Sequence, residues 1–259
     1  MPDTGINPSP SPSPSPGADA ASDIAVMVLC AGRGERMRPL TDHCPKPLLQ
    51  AGGLSLLGHI LQRIHAAGLR RVVINHAYLG AQIEQAIGDG NGFGLSVRYS
   101  AEATALETAG GIATALPLLG PGRFIVINGD TWSDIDLVAL VQHTRQASTE
   151  ELAHLVLVDN PTHNPNGDFW LAGGQVSSPM PSTQTAQADA RCLTFSGTGV
   201  YHPALFQHTA PGQAAPLAPL LRQAMAAQRV SGRQHAGQWR DIGTPQRLAE
   251  LDQYLQTRA

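Results

Sequence analysis

Short apolar runs alternate with amphipathic stretches along most of the chain. Residues 24–30 form a continuous apolar run of strand length, and residues 54–67 repeat their apolar positions at helical spacing. The pattern continues with predicted strands at 72–75, 95–99, 124–128 and 155–158 and predicted helices at 78–87, 108–116 and 134–146. Such alternation predicts an α/β fold, a three-layer α/β/α sandwich with a mostly parallel, Rossmann-like sheet.

The two ends of the chain and one internal region depart from this rhythm. Residues 160–195 are rich in Pro, Gly, Ser and Thr, which predicts a loop or loose hairpin ahead of a strand at 193–201. Helices are predicted at 217–228 and 245–255, the second starting with a threonine cap followed by proline. The Ser-Pro alternation near the start predicts a disordered tail over residues 1–22, which leaves 23–259 as the folded domain.

Composition narrows the class of protein. With 42% hydrophobic and 14% charged residues, the chain is globular, and its net charge of −3 argues against nucleic-acid and membrane-surface partners. No apolar run approaches the roughly 20 residues that cross a bilayer. The three cysteines lie far apart without CxxC spacing, which fits a reducing compartment. We therefore expect a cytoplasmic enzyme, and the sequence gives no sign of an obligate protein partner.

A glycine-rich segment follows the first predicted strand. Ligands of parallel sheets bind beyond the carboxyl ends of the strands, and Gly32 and Gly34 would let backbone N–H groups approach a phosphate closely. Arg36, or alternatively Arg33 or Arg38, can bind phosphate oxygens with its planar guanidinium. A plain tight turn is the other interpretation. The segment has neither the full dinucleotide-binding glycine pattern nor that of a P-loop.

The lysine usage is unusual. Lys46 is the only lysine beside sixteen arginines, and it stands between Pro45 and Pro47. Proline restricts the backbone on both sides, so the ammonium group would be presented rigidly, which suits a phosphate or pyrophosphate. An exposed surface lysine is the alternative.

Two aspartates are candidate metal ligands. Asp130 follows the buried strand predicted at 124–128, and Asp241 lies just ahead of the last predicted helix. Carboxylates are the ligands that Mg²⁺ prefers, although an aspartate beside a glycine also caps turns. Thr108 and Gly110 lie at a predicted helix start, where a hydroxyl caps and a glycine permits close approach of a ligand.

Five motifs together carry a family resemblance. They are residues 30–41 (CAGRGERMRPLT), 45–48 (PKPL), 106–112 (LETAGGI), 128–130 (NGD) and 239–244 (WRDIGT). In this order, over residues 24–256, the chain resembles the sugar-1-phosphate nucleotidyltransferases. The resemblance implies a nucleotidyltransferase, glycosyltransferase-A-like fold with Mg²⁺ as cofactor. It also implies attack of a sugar phosphate on the α-phosphorus of a nucleoside triphosphate, with release of pyrophosphate.

The resemblance also implies a role for each matching residue. Arg36 and Lys46 would be catalytic, and Asp130 and Asp241 would hold the metal. The nucleotide-binding residues would be Ala31, Gly32, Gly34, Glu107, Thr108 and Gly110. The sugar side of the site would be formed by Asn75, Asn128, Gly167, Asp168 and Gly197.

Further segments narrow the resemblance. Residues 73–77, 155–161, 167–169 and 194–197 are similar to members that use UTP and N-acetylmuramic acid α-1-phosphate in bacterial peptidoglycan recycling. Residues 176–192 contain no lysine, so the second basic phosphate contact that thymidylyltransferase-type members place there is not expected. Three alternatives stay open: another sugar 1-phosphate such as mannose or glucose 1-phosphate, another base, and a nucleotide-sugar binder without turnover.

Overall fold

The computed structural model describes residues 23–180 and 189–258. The strands are β1 (Ala25–Leu29), β2 (Gln50–Ala51), β3 (Leu54–Ser55), β4 (Arg71–His76), β5 (Ser96–Ala101), β6 (Phe124–Asn128), β7 (Thr131–Ser133), β8 (Ala153–Val158), β9 (Phe169–Ala172), β10 (Gln175–Ser177), β11 (Arg191–Tyr201), β12 (Val230–His235) and β13 (Trp239–Asp241). The α-helices are α1 (Leu56–Ala66), α2 (Gly80–Ile87), α3 (Glu107–Leu119), α4 (Leu137–Gln146), α5 (Leu217–Ala226) and α6 (Pro245–Gln256).

Two parts of the sequence-based expectations lie outside the described residues. The disordered tail expected at 1–22 is one of them, so its division from a domain at 23–259 stays a prediction. Part of the lysine-free segment 176–192 is the other. Within the described ranges, no helix is both long enough and apolar enough to cross a membrane.

The central sheet has the spatial order β5-β4-β1-β6-β11-β8-β12-β10-β9. The neighbours β5, β4, β1 and β6 are parallel, and β12 is parallel to β8. Strand β11 is antiparallel to β6, β8 and β9, and β10 is antiparallel to both of its neighbours. The predicted α/β class is confirmed, but the sheet is mixed rather than mostly parallel. After β8 the chain enters the β9–β10 hairpin instead of a crossover helix, and because a hairpin reverses strand direction, β10 and then β11 run antiparallel to β9.

The hairpin region and the last strands show what the sequence pattern missed. Strands β9 and β10 form the loose hairpin expected within 160–195, with Gly173 and Gly174 at positive φ in its turn. Strand β12 was not predicted, because its sequence VSGRQH contains a single large apolar residue. The three-residue strands β7 and β13, which pair with each other, were also missed, since neither is long enough to show a period.

Helices cover both faces of the sheet because its apolar residues point alternately to either side. On one face, Met27 and Val126 are buried in a cluster with residues of α3 and α5. On the other face, Val28 and Ile127 are buried with residues of α1, α2 and α4. Burying one such side chain contributes about 1.5–3 kcal/mol. The three-layer arrangement is therefore confirmed, and it leaves the carboxyl ends of β1, β4 and β6 at one open edge.

A third apolar cluster fixes the loops at that edge. Met37, from the glycine-rich segment, packs with Ile242 and with Leu251 of α6, and all three are fully buried. The helix α6 starts as predicted, with the Thr244 hydroxyl accepting from Arg247 N at 3.3 Å. The last helix thus holds both the segment after β1 and the end of β13 in place.

A chain of polar side chains joins α4, β8 and β12 away from that edge. His143 Nε2 lies 2.8 Å from Glu151 Oε1, Ser231 Oγ donates to Glu151 Oε2 at 2.5 Å, and His154 Nδ1 lies 2.7 Å from Ser231 Oγ. The two imidazole rings stack with centroids 3.7 Å apart and planes 25° apart. One ligand atom from each of His143, Glu151 and His154 lies within 4.8 Å of the others, and the hydrogen bond between His143 and Glu151 joins two of them.

These contacts shift two pKa values downward. Burial, together with the charge of His143, lowers the pKa of His154 to about 4. Burial disfavours ionised Glu151, but the hydrogen bonds from His143 and Ser231 outweigh it, so the pKa of Glu151 is lowered overall.

The neutral state of His154 predicts an acid-sensitive fold. Between pH 6.5 and about 4 the unfolded chain takes up a proton at this histidine and the folded chain does not. The free energy of unfolding should therefore fall with decreasing pH, by up to about 1.4 kcal/mol per pH unit from this group. In His154→Gln, urea unfolding at a series of pH values should show a shallower slope over this range.

The exposed His208 provides the matched control. His208→Gln should keep the wild-type slope, because this side chain is exposed rather than buried in the folded chain. An unchanged slope in His154→Gln would show that another group causes the acid sensitivity.

Candidate active site

Two adjoining cavities open at the carboxyl ends of β1 and β6. The first, of about 360 Å³, is lined by Leu29, Cys30, Gly32, Gly34, Glu35, Arg36, Met37, Lys46, Pro47, Thr108, Asn128, Gly129, Asp130 and Gly243. The second, of about 590 Å³, is lined by Leu29, Glu107, Thr108, Val126, Asn128, Gly167, Asp168, Phe169, Phe195, Gly197, Tyr201, Pro216, Leu217, Ala218, Leu221 and Arg222. Leu29, Thr108 and Asn128 line both, so a ligand can extend from one cavity into the other.

The glycine-rich segment and the lysine form one packed unit. Gly34 has φ +71°, and a Cβ on it would lie 3.2 Å from Lys46 Cβ, so only a glycine lets the lysine stem pack there. The Thr41 hydroxyl donates to Gly34 O at 2.9 Å. Gly32 also lines the first cavity, and no atom would meet a Cβ there within 4 Å. The turn therefore presents open backbone to the cavity.

Lys46 reaches across the first cavity to Asp130. Its Nζ donates to Asp130 Oδ2 at 2.8 Å, and its side chain is 8% exposed while that of Asp130 is 40% exposed. The segment Lys46–Leu48 is a short 3-10 helix, whose first turn is closed by Leu48 N donating to Pro45 O at 2.8 Å. The backbone of Lys46 is thus held in a hydrogen-bonded turn between the two prolines. Its ammonium group is paired with Asp130 and is not a free surface group.

Among the three arginines of the segment, Arg36 is the one that lines the cavity. Arg33 pairs with Glu35 at 2.7 Å and lies over the Tyr78 ring, and Arg38 pairs with Asp42 at 2.7 Å. The sequence left open which of Arg33, Arg36 and Arg38 could bind phosphate. In the structure Arg33 and Arg38 are paired with carboxylates, and Arg36 is the one placed to meet a ligand in the cavity.

The two candidate metal ligands lie on adjacent strand ends. Strand β13 pairs with β7, and Ile242 N donates to Asp130 O at 3.0 Å. The Asp241 carboxylate accepts from Arg247 Nη1 at 2.6 Å and borders a smaller neighbouring cavity. A Cβ on Gly243 would lie 3.1 Å from both Asp241 Oδ2 and Arg36 Nη2. Asp130 therefore lines the first cavity, whereas Asp241 lines the smaller one and reaches the first only through the neighbouring Gly243.

The residues predicted for the sugar side gather at the second cavity. Asp168 accepts from Phe195 N at 2.8 Å and from Asn164 Nδ2 at 3.0 Å, which fixes its carboxylate. Gly167 and Gly197 both have positive φ, and a Cβ on Gly197 would lie 2.4 Å from Asn128 Nδ2. Four of the five predicted residues thus line one cavity: Asn128, Gly167, Asp168 and Gly197.

Asn75 is the exception, since it lines neither cavity, and its contact with the sugar stays a prediction. Its side chain is buried at 2% exposure, accepts from Cys30 N at 2.9 Å and donates to Glu102 Oε1 at 2.7 Å. Glu102 Oε2 in turn accepts from Leu106 N at 2.9 Å. Through Glu102, Asn75 therefore connects the end of β1 to the start of α3. It positions these parts of the site without lining either cavity.

The predicted nucleotide-binding set divides in a similar way. Thr108 lines both cavities and Glu107 lines the second, with an unusual φ of +55° at the helix start. Leu106, rather than the predicted Thr108, precedes the helix as its cap. Ala31 is half-buried and is not among the residues lining either cavity.

Gly110 lines neither cavity and is closely packed, so its contact with the nucleotide stays a prediction. The backbone N–H groups of Ala109 and Gly110 donate to Ala215 O at 2.9 and 3.1 Å. A Cβ on Gly110 would lie 2.1 Å from Gln213 O. The neighbouring Gly111 allows the other side of the helix to pack closely against Glu102, because a Cβ on Gly111 would lie 2.8 Å from Glu102 Oε1.

Cys30 lines the first cavity without being reactive. Burial, and then the nearby negative charge of Asp130, raise the pKa of the Cys30 thiol far above its ordinary value. A thiol held protonated in this way is a poor nucleophile.

The sequence reasoning missed two kinds of residue at the site. Glu102, which holds Asn75, is buried at 7% exposure and follows strand β5, where nothing in the pattern marks it. Arg222 lines the second cavity from α5, and one arginine in an amphipathic helix carries no sequence signal of its own.

Comparisons with known proteins agree with this geometry. The family model described as "Nucleotidyl transferase" matches residues 25–174. The chain is 51% identical, over 86% of its length and 95% of the relative's, to N-acetylmuramate alpha-1-phosphate uridylyltransferase of Neisseria meningitidis serogroup B. It is 32% identical, over 88% of its length and 63% of the relative's, to mannose-1-phosphate guanylyltransferase of Mycobacterium tuberculosis.

A solved structure supports the fold. A putative glucose-1-phosphate thymidylyltransferase from Bacillus anthracis, in complex with sucrose, superposes with a TM-score of 0.75 at 18% identity. The match covers 90% of this chain and 95% of that one. The mixed sheet with helices on both faces is therefore shared beyond the range of clear sequence similarity.

The contacts of Gly110 predict a specific stability defect. Gly110→Ala should lower the free energy of unfolding by about 1–3 kcal/mol, because the segment around Gln213 must move away from the new methyl group. Gly122→Ala is the matched control, since a Cβ there meets no atom within 4 Å. That control should change stability by less than about 0.5 kcal/mol in urea titration. Equal effects of the two substitutions would contradict the packing role.

Proposed function

The chain belongs to the nucleotidyl transferase family, and from that premise we propose that it transfers a uridylyl group from UTP to N-acetylmuramic acid α-1-phosphate. The products are UDP-N-acetylmuramic acid and pyrophosphate. The observation that carries the proposal is the pair of adjoining cavities. The first is lined by accessible glycine backbone and by cationic side chains, and the second by polar groups that can bind sugar hydroxyls and by apolar side chains. The similarity to the uridylyltransferase over 95% of that relative supports the choice of substrates.

The first cavity suits the triphosphate. Its wall offers the backbone of Gly32 and Gly34 together with the cationic groups of Arg36 and Lys46. Nucleotidyl transfer asks the protein for positioning and charge neutralisation more than for covalent chemistry. An oxygen of the sugar phosphate attacks the α-phosphorus, and the bond from that phosphorus to the pyrophosphate oxygen breaks. The attacking phosphate is already anionic, so no general base is required.

Each cation has a part in this reaction that follows from its position. Lys46 lies in the wall of the first cavity, which adjoins the second, and there it would bind the α-phosphate and the incoming sugar phosphate. Arg36 lies on the side of Gly243, where it would bind the β- and γ-phosphates and stabilise the leaving pyrophosphate.

The carboxylates of Asp130 and Asp241 fit a divalent cation, which we propose to be Mg²⁺. Both side chains offer oxygen ligands from adjacent strand ends, and each now accepts a hydrogen bond from a cationic side chain. When bound, Mg²⁺ would neutralise the charge that develops on the reacting phosphates. Until then, Lys46 and Arg247 orient the two carboxylates through these hydrogen bonds.

The second cavity suits an amino sugar. Asp168 has its carboxylate fixed by two hydrogen bonds and can accept from sugar hydroxyls, and Asn128 stands at the junction with the phosphates. The apolar wall formed by Phe169 and Phe195 is suited to methyl groups and ring faces. Use of UTP and of a wall-derived sugar would place the enzyme in the cytoplasm, in peptidoglycan recycling.

A mannose 1-phosphate reaction is the second candidate, and the similarity to a guanylyltransferase supports it. The identity is lower there, and the chain covers 63% of that relative compared with 95% of the uridylyltransferase. The two candidates share the phosphate chemistry and differ in sugar and base.

Pyrophosphate release tests the choice of substrates. UTP and GTP would each be combined with the 1-phosphates of N-acetylmuramic acid, N-acetylglucosamine and mannose in the presence of Mg²⁺. We expect the highest kcat/KM for UTP with N-acetylmuramic acid α-1-phosphate. A higher value for GTP with mannose 1-phosphate would overturn the proposed substrates. No release from any pair would favour a binding protein without turnover.

Lys46→Met tests the role of the lysine. Methionine keeps most of the packing against Gly34 but removes the charge, so kcat should fall by about 10²–10³-fold, as when one preorganised contact to a developing charge is lost. Lys46→Arg, which keeps the charge, should recover part of the rate. An unchanged kcat in the methionine variant, measured by pyrophosphate release, would remove Lys46 from the mechanism.

A further inference from the structure

The helix α5 presents one cation to the second cavity. Ala218, Leu221 and Arg222 line the cavity together, which their spacing of three and four residues on a helix explains. Arg222 is the only cationic residue among those that line the second cavity, and Arg36 and Lys46 line the first cavity instead. The protein thus offers positive charge at two separate places.

The surroundings of Arg222 leave its guanidinium available. The residue is exposed, and the ion pairs formed among the described residues use other arginines. Two acidic residues, Glu107 and Asp168, line the same cavity, and neither forms an ion pair with Arg222 among the described residues; Asp168 accepts from Phe195 N and Asn164 Nδ2. An unpaired guanidinium beside a substrate cavity is suited to an anionic group of the substrate.

We propose that Arg222 binds the carboxylate of the lactyl ether that distinguishes N-acetylmuramic acid from N-acetylglucosamine. The inference rests on the proposed function and adds the residue that selects an acidic sugar. Mannose, glucose and N-acetylglucosamine 1-phosphates carry no anionic group besides the phosphate, which belongs to the first cavity. A second cation at the far wall therefore has a partner only when the sugar carries a second acid.

The other groups of the cavity support this assignment. Glu107 and Asp168 line the same wall and would repel a carboxylate that had no cation beside it. The apolar side chains of Phe195 and Leu221 provide a surface for the lactyl methyl group next to the arginine. The lactyl group would thus place its carboxylate at the Arg222 guanidinium and its methyl group on the apolar surface beside it.

The experiment compares one substrate with its neutral form. N-acetylmuramic acid α-1-phosphate and its lactyl methyl ester would be assayed with UTP, using the wild-type protein and Arg222→Gln. In the wild type, esterification should lower kcat/KM roughly 10- to 100-fold, mainly through KM, since a charged hydrogen bond is lost. In Arg222→Gln the acid should lose about the same factor, and esterification should then have little further effect.

Two further variants serve as controls. Arg222→Lys keeps the charge without the planar guanidinium and should lie between the wild type and Arg222→Gln for the acid. Arg145→Gln removes one exposed arginine from α4, on the opposite face of the sheet, and should leave both substrates unaffected. The KM for UTP should be unchanged in all variants, because the triphosphate lies in the first cavity.

The outcomes separate this proposal from the proposed function. If the wild type turns over the acid but esterification costs Arg222→Gln as much as it costs the wild type, Arg222 does not bind the carboxylate. If Arg222→Gln instead raises the KM for UTP, the arginine serves the nucleotide, and the proposal is wrong. A wild type that turns over neither form would overturn the proposed function, and this inference with it.

Discussion

The ion pair between Lys46 and Asp130 is the contact on which the site is organised. It joins a short helix set between two prolines to the end of the central strand β6, and Gly34 packs on the lysine stem. Because the Asp130 side chain is 40% exposed, the pair contributes little to stability. Its importance is positional: it places a cation and a carboxylate together in the wall of the first cavity.

Around this pair, the fold uses close backbone packing to keep the strand ends in register. Asn75 and Glu102 connect the ends of β1, β4 and β5 to the start of α3 through buried hydrogen bonds. The adjacent glycines of α3 let that helix approach Glu102 on one side and residues 213–215 on the other. The same helix start carries Thr108 to the boundary of the two cavities. A rigid shell of this kind suits a reaction that depends on placing phosphates accurately.

Much of the fold and of the phosphate-binding wall could be predicted from the sequence. The parallel half of the sheet is predicted by its apolar runs. Lys46 stands out in the sequence because the chain contains no other lysine. The antiparallel half could not be predicted, since β12 shows no apolar run and β7 and β13 are too short for a period. The direction of individual side chains could not be predicted from the sequence either. Asn75 points into the protein and Gly110 packs against backbone, although both belong to segments that form the site. Arg222 lines the second cavity because of its place on a helix face, which only the fold reveals.

The central claim is that the two cavities hold the phosphates and the sugar on either side of Lys46. A crystal structure of the protein with Mg²⁺ and UDP-N-acetylmuramic acid tests it most directly. The account predicts the nucleotide against Gly32 and Gly34, the sugar against Asp168, and the Lys46 ammonium within hydrogen-bond distance of a phosphate oxygen. A product bound outside these cavities, with Lys46 still paired only to Asp130, would contradict it.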